Sequence, residues 1–181
     1  KILKKQDVKA TFFVTGKTDA VSQQRMKDIV ADGHTIGMHA YNHSYKKLYS
    51  SVEAYLDDAY KIFSLIRETT GETPTIFRMP GGRINSYNYD VYQEILAEML
   101  RRGFIPYDWN VSSGDAGGVK GTNAEKTAQV VTNVINGIGN KQYAVVLQHD
   151  IQEFSVDAVE QILIWGIQNG YSFQALTSNS P

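Results

Sequence analysis

The chain contains no cysteine. That excludes a disulfide framework and a thiolate metal site, so any metal ion must be held by His, Asp, Glu or water. No apolar run approaches the roughly 20 residues that cross a bilayer. The opening residues, Lys1-Ile2-Leu3-Lys4-Lys5, lack the apolar core of a signal peptide, and no membrane insertion is expected of this chain. Neither charge is in excess. Eighteen basic and 19 acidic side chains leave a formal net charge of -1, and the sequence pI is about 6.5. Nucleic acid and anionic membranes are therefore not expected partners, and a neutral or polar substrate fits better. An initiating methionine is also lacking, the first being Met26. The start reads as the tail of an amphipathic helix, with upstream residues removed.

What is present is a chain of 181 residues, 42% hydrophobic, enough for one domain over 1–181 with a substantial core. Lys9-Ala10-Thr11-Phe12-Phe13-Val14 reads as a buried strand, 19–31 as a helix stopped by Gly33, and Thr35-Ile36-Gly37-Met38 as a second strand. Ser50 and Glu53 suggest a capping box. Behind it Val52, Tyr55, Leu56, Ala59, Ile62, Phe63 and Ile66 recur at helical spacing. A strand at 75–78, a helix over 89–102 with Val91, Ile95, Leu96 and Leu100 inward, and a strand near 104–107 follow. Thr122 and Glu125 form a second capping box before a helix to about Ile135. Tyr143-Ala144-Val145-Val146-Leu147 suits a strand buried on both faces. Ser155 reads as the start of a last helix, and Tyr171-Ser172-Phe173 as a final strand. Such strand and helix alternation predicts an α/β fold with a parallel sheet, as a barrel or as an open doubly wound sheet.

In either architecture functional groups gather at the C-terminal ends of the strands. Those positions hold His39 and His43, then Arg78, Asp115, and finally His149 with Asp150. Three of the four histidines fall there. His39 and His43 are four residues apart, a spacing that in a helical turn suits one divalent metal; two surface histidines are the competing reading. His34, at the opposite end of its strand, is assigned a structural role. Arg78 precedes Met79-Pro80-Gly81-Gly82 and could orient a carboxylate or form a structural salt bridge. The Gly81 amide has no side chain in the way of a developing oxyanion. His149 follows the most apolar strand, as a general acid would, or as a hydrogen-bonded structural histidine would. Trp109, Tyr41 and Leu147 could line a sugar pocket or fill core.

These motifs resemble the polysaccharide deacetylases of carbohydrate esterase family four, the NodB-homology domain, over nearly the whole chain. Gly33-His34-Thr35-Ile36-Gly37-Met38-His39-Ala40-Tyr41-Asn42-His43 is similar to the family's His-Ser/Thr-x-x-His motif, which implies His39 and His43 as metal ligands. Phe77-Arg78-Met79-Pro80-Gly81 is similar to the motif whose arginine orients the catalytic base and whose following amide helps hold the oxyanion. Trp109-Asn110-Val111-Ser112-Ser113-Gly114-Asp115-Ala116 resembles the stretch that contains Asp-x-x-Asp-Trp, which makes Asp115 the partner of the catalytic histidine. Val146-Leu147-Gln148-His149-Asp150 resembles the motif in which leucine forms the acetyl pocket and the histidine, here His149, is the general acid.

The sequence departs from the family at Ala40, where a hydroxyl usually braces the metal loop, at Ser112 and Ala116, where Asp and Trp are usual, and at Gly81, which replaces a common aromatic. The motif Thr-Phe-Asp-Asp-Gly, source of the base and the third metal ligand, is absent. The resemblance therefore implies a distorted (β/α)7 barrel missing its first strand. It implies a zinc-like divalent ion whose third ligand, an aspartate, is missing from this chain. It also implies hydrolysis of N-acetyl groups on N-acetylglucosamine polymers, peptidoglycan or chitin, outside the cell or in its envelope. The chain alone is expected to be inactive, and an open strand edge would favour a homo-oligomer. A non-catalytic carbohydrate-binding barrel derived from a deacetylase is the alternative.

Overall fold

The computed structural model describes residues 1–181. Helices and strands alternate in the order α1 (Ile2–Lys5), β1 (Thr11–Thr15), α2 (Ala20–Ala31), β2 (Thr35–Ala40), α3 (Tyr45–Leu48), α4 (Val52–Thr70), β3 (Ile76–Phe77), α5 (Tyr92–Arg101), β4 (Ile105–Pro106), β5 (Val111–Ser112), α6 (Asn123–Ile138), β6 (Val146–Leu147) and α7 (Glu153–Gln168). Every strand pairing is parallel, as helical crossovers require. The chain packs as two compact units, one of Lys9–Asp108 with Ala175–Pro181 and one of Lys1–Val8 with Trp109–Gln174.

In the larger unit the sheet order is β1-β2-β3-β4. β1 and β2 pair Phe13 with Gly37, and a β-carbon at Gly37 would lie 2.8 Å from the Phe13 ring. The missing side chain is thus what lets that ring lie on the sheet. α4 presents Tyr55, Ile62 and Ile66 inward, against Met38, Phe77, Ile95 and Met99. Each fully buried aliphatic side chain of this kind contributes about 1.5–3 kcal/mol. The helix begins at Ser51, whose hydroxyl accepts from the Ala54 amide, and ends at Gly71 in the left-handed region.

The smaller unit has the two-stranded sheet β5-β6 and a core of Val111, Val130, Val134, Phe154, Ala158 and Ile162. α6 is opened by the Thr122 and Glu125 capping box. α1 is tied to α7 by the Lys5–Glu160 ion pair.

Several sequence expectations are corrected. The cap of α4 is Ser51, not Ser50, whose hydroxyl instead donates to the Lys47 carbonyl. α7 starts at Glu153 with Gln152 as its N-cap; Ser155 lies within the first turn and uses its side chain elsewhere. Tyr171-Ser172-Phe173 is not a strand. Its rings are used sideways, Tyr171 stacked on Trp165 and Phe173 over Gly166. The strand not expected from the sequence is β5. Leu100 is exposed, and Met99 takes the inward position. The strand ending at Leu147 is shorter than expected and only partly buried.

Candidate active site

Two sets of polar side chains stand at strand C-termini, one in each unit. In the larger unit β2 runs on through Ala40, so His39 lies within the strand, and the chain then bends at Tyr41 and Asn42 before His43. The bend is not the helical turn expected for this spacing. It is shaped by Asp58 of α4, whose Oδ1 accepts from the Tyr41 amide at 2.7 Å and whose Oδ2 accepts from the Asn42 amide at 2.8 Å. Ala40 carries no hydroxyl with which to brace this loop, and the Asp58 carboxylate grips it from the helix side. Burial raises the Asp58 pKa, and the two amide donors offset only part of that rise.

The bend brings His43 Nε2 to 3.2 Å from His39 Nε2. His39 Nδ1 lies 2.7 Å from the Arg78 carbonyl. A carbonyl can only accept, so Nδ1 carries the proton and the lone pair sits on Nε2. Two imidazole nitrogens on one tetrahedral zinc lie about 3.3 Å apart for bonds near 2.0–2.1 Å. The pair therefore fits as two donors to a divalent ion, and the carbonyl behind His39 is the outer partner such a ligand needs. No third His, Asp or Glu of the chain joins them.

Arg78 is buried. Its Nε donates to the Tyr107 carbonyl and its Nη2 to the Asp108 carbonyl, and its guanidinium lies 4.4 Å from the Phe13 ring centroid. Burial lowers its pKa to about 10, with the Asp108 carboxylate opposing the shift; it stays a cation at neutral pH. The Asp108 carboxylate also accepts from the Arg83 amide, which pins the chain just beyond Gly81 and Gly82. Gly81 has φ +76, and a β-carbon there would crowd Asn85 at 3.1 Å and the Tyr45 ring at 3.3 Å. Tyr45 in turn packs on His43 and Tyr87. Tyr41 is half-buried, its ring over Gly16. His34 accepts from the Ala10 amide and packs on Phe12.

In the smaller unit the loop after β5 carries Asp115, and the residue after Gln148, beyond β6, is His149. The structure joins them. His149 Nδ1 donates to Asp115 Oδ1 at 2.8 Å, and the His149 amide donates to Oδ2 at 2.7 Å. The Asp115 side chain is 2% exposed and that of His149 is 39% exposed. Burial by itself would raise the Asp115 carboxyl. Donation from Ser155, from the His149 ring and from the His149 amide outweighs it and holds the pKa below the usual range. Leu147 and Trp109 are both half-buried.

Sequence reading missed Asp58 and Ser155. Asp58 was one of two adjacent aspartates on a long helix, with no sign of which faces in. Ser155 had an ordinary explanation as a helix starter.

The first 100 residues match the sequence model of a family described as polysaccharide deacetylase. This chain belongs to the polysaccharide deacetylase family. Among curated relatives, a peptidoglycan-N-acetylglucosamine deacetylase of Bacillus cereus is 33% identical over 98% of this chain and 63% of its own length. Of solved structures, the catalytic domain of a peptidoglycan N-acetylglucosamine deacetylase from Eubacterium rectale is 43% identical, with a TM-score of 0.92 over 99% of this chain and 81% of that one. A polysaccharide deacetylase from Bacillus cereus is 32% identical, with a TM-score of 0.87 over 99% and 84%. The chain spans 63% and 60% of the first two curated relatives it matches. No helix of this polysaccharide deacetylase chain is long and apolar enough to cross a membrane.

Proposed function

We propose that the protein carrying this chain removes N-acetyl groups from N-acetylglucosamine residues of a cell-envelope polymer, peptidoglycan ahead of chitin, and releases acetate. The observation that carries this reading is the Asp115–His149 pair. A buried carboxylate that accepts from Nδ1 leaves Nε2 as the nitrogen that takes up and delivers a proton, which is the arrangement a general acid requires. The relatives named for peptidoglycan deacetylation support the substrate class.

Water adds to the acetamide carbonyl carbon and gives a tetrahedral intermediate. The C–N bond then breaks, and the nitrogen takes its proton from His149 Nε2, leaving amine and acetate. Asp115 favours the imidazolium from which that proton comes. The Gly81 amide is a candidate donor to the oxyanion, and Leu147 a candidate wall for the acetyl methyl. His39 and His43 would hold the divalent ion, zinc by the chemistry of the donors, and such an ion supplies Lewis acidity toward the carbonyl and the water. The base that takes the water's proton is expected from the Thr-Phe-Asp-Asp-Gly motif. The barrel closure implied by the family likeness belongs to this same proposal.

Acetate release from N-acetylglucosamine oligomers and from peptidoglycan, with zinc and then with a chelator, tests the reading. Chelator-sensitive release by the protein carrying this chain supports it. Oligomer binding without release would favour the non-catalytic barrel.

A further inference from the structure

The Asp115 carboxylate receives three donors, and two of them belong to His149, the residue whose orientation is at stake. The third is the Ser155 hydroxyl, 2.6 Å from Oδ2. Ser155 is 0% exposed and comes from the first turn of α7, 40 residues beyond Asp115. That turn is fixed on two sides. Gln148 Nε2 donates to the Ser155 carbonyl at 2.6 Å, and Thr127 Oγ1 of α6 donates to the Phe154 carbonyl at 3.0 Å. The hydroxyl is therefore delivered from an anchored backbone. The loop end of Asp115 is tied separately, its amide donating to Ser113 Oγ at 3.3 Å.

An aspartate's terminal torsion is broad, so a carboxylate held only by the residue it orients can rotate with it. A donor from a different element removes that freedom. With Ser155 on Oδ2, Oδ1 is left facing Nδ1, and an ionised carboxylate can only accept, so the ring keeps its proton on Nδ1.

We propose that Ser155 is a positioning residue for His149, acting through Asp115. It locks the carboxylate plane and thereby holds the neutral imidazole as the single Nδ1–H tautomer with Nε2 available for proton transfer. Its purpose rests on His149 being the proton donor of the proposed reaction; its structural content does not.

The test is the tautomer itself, read from long-range proton–nitrogen spectra of the histidine rings of the 181-residue chain with His149 neutral. His149→Ala identifies the resonances. Wild type is expected to show one Nδ1–H form at His149. Ser155→Ala is expected to lose it to a mixture containing the Nε2–H form, and Ser155→Thr, which restores the hydroxyl, to recover it. A folded Ser155→Ala variant with the wild-type tautomer overturns the proposal, even if its melting temperature falls. Should that variant not fold, Ser155→Cys replaces it, keeping a polar atom but a far weaker donor. A mixture there supports the proposal and a single Nδ1–H form overturns it. Loss of the tautomer without any acetate release by the protein carrying this chain would remove the proposed function and leave Ser155's role standing.

Discussion

Asp115 and Asp58 are both buried carboxylates that accept backbone amides, yet their ionisation shifts in opposite directions. The difference lies in the donors: Asp58 accepts from two amides, whereas Asp115 accepts from one amide, a hydroxyl and an imidazole. The signs give different pH behaviour. Asp115, depressed below 3.8, contributes stability that is full above that value and lost as pH falls through its lower folded value. Acid unfolding followed by circular dichroism should show Asp115→Asn losing less stability than wild type over that window. An equal loss would contradict the assignment. Asp58→Ala strands the two amides at the bend and should cost about 1–3 kcal/mol in urea unfolding. It should also weaken the zinc binding proposed for His39 and His43, read by titration calorimetry, and unchanged zinc affinity would show that the grip does not set the bend. The placement of His39, His43, Arg78, Asp115 and His149 near strand ends was legible because chemistry-bearing types recur there. Asp58 and Ser155 were not, since their partners lie 16 to 40 positions away and their types suit a helix surface or a helix start equally well.

At the scale of elements, α4 shows how local signals can point one residue astray. Ser50 and Ser51 are adjacent and either could cap, but only Ser51 places its oxygen at the Ala54 amide. Ser51→Ala should cost about 1 kcal/mol, and Ser50→Ala clearly less, in thermal unfolding. The reverse order would return the cap to Ser50. Long helices were readable from their apolar spacing. β5 was not, because a two-residue strand has no period and exists only through its pairing with β6. The alternating pattern at 171–173 has the look of a strand, and the rings are taken up by Trp165 and by the space over Gly166.

Over the whole molecule, the expectation of parallel sheets from strand and helix alternation matches every observed pairing. The family was legible too, because its motifs sit at those strand ends in chain order. β1 is an edge of its sheet, and self-association through it remains the proposal for oligomeric state, with monomer mass by light scattering as the contrary result. In the proposed reaction His149 delivers the proton to the leaving amine. Steady-state acetate release from N-acetylglucosamine oligomers by the protein carrying this chain, wild type against His149→Ala, tests that role. The expected result is a fall in kcat of about 10²–10⁴-fold with KM little changed. A variant that retains wild-type kcat would contradict it.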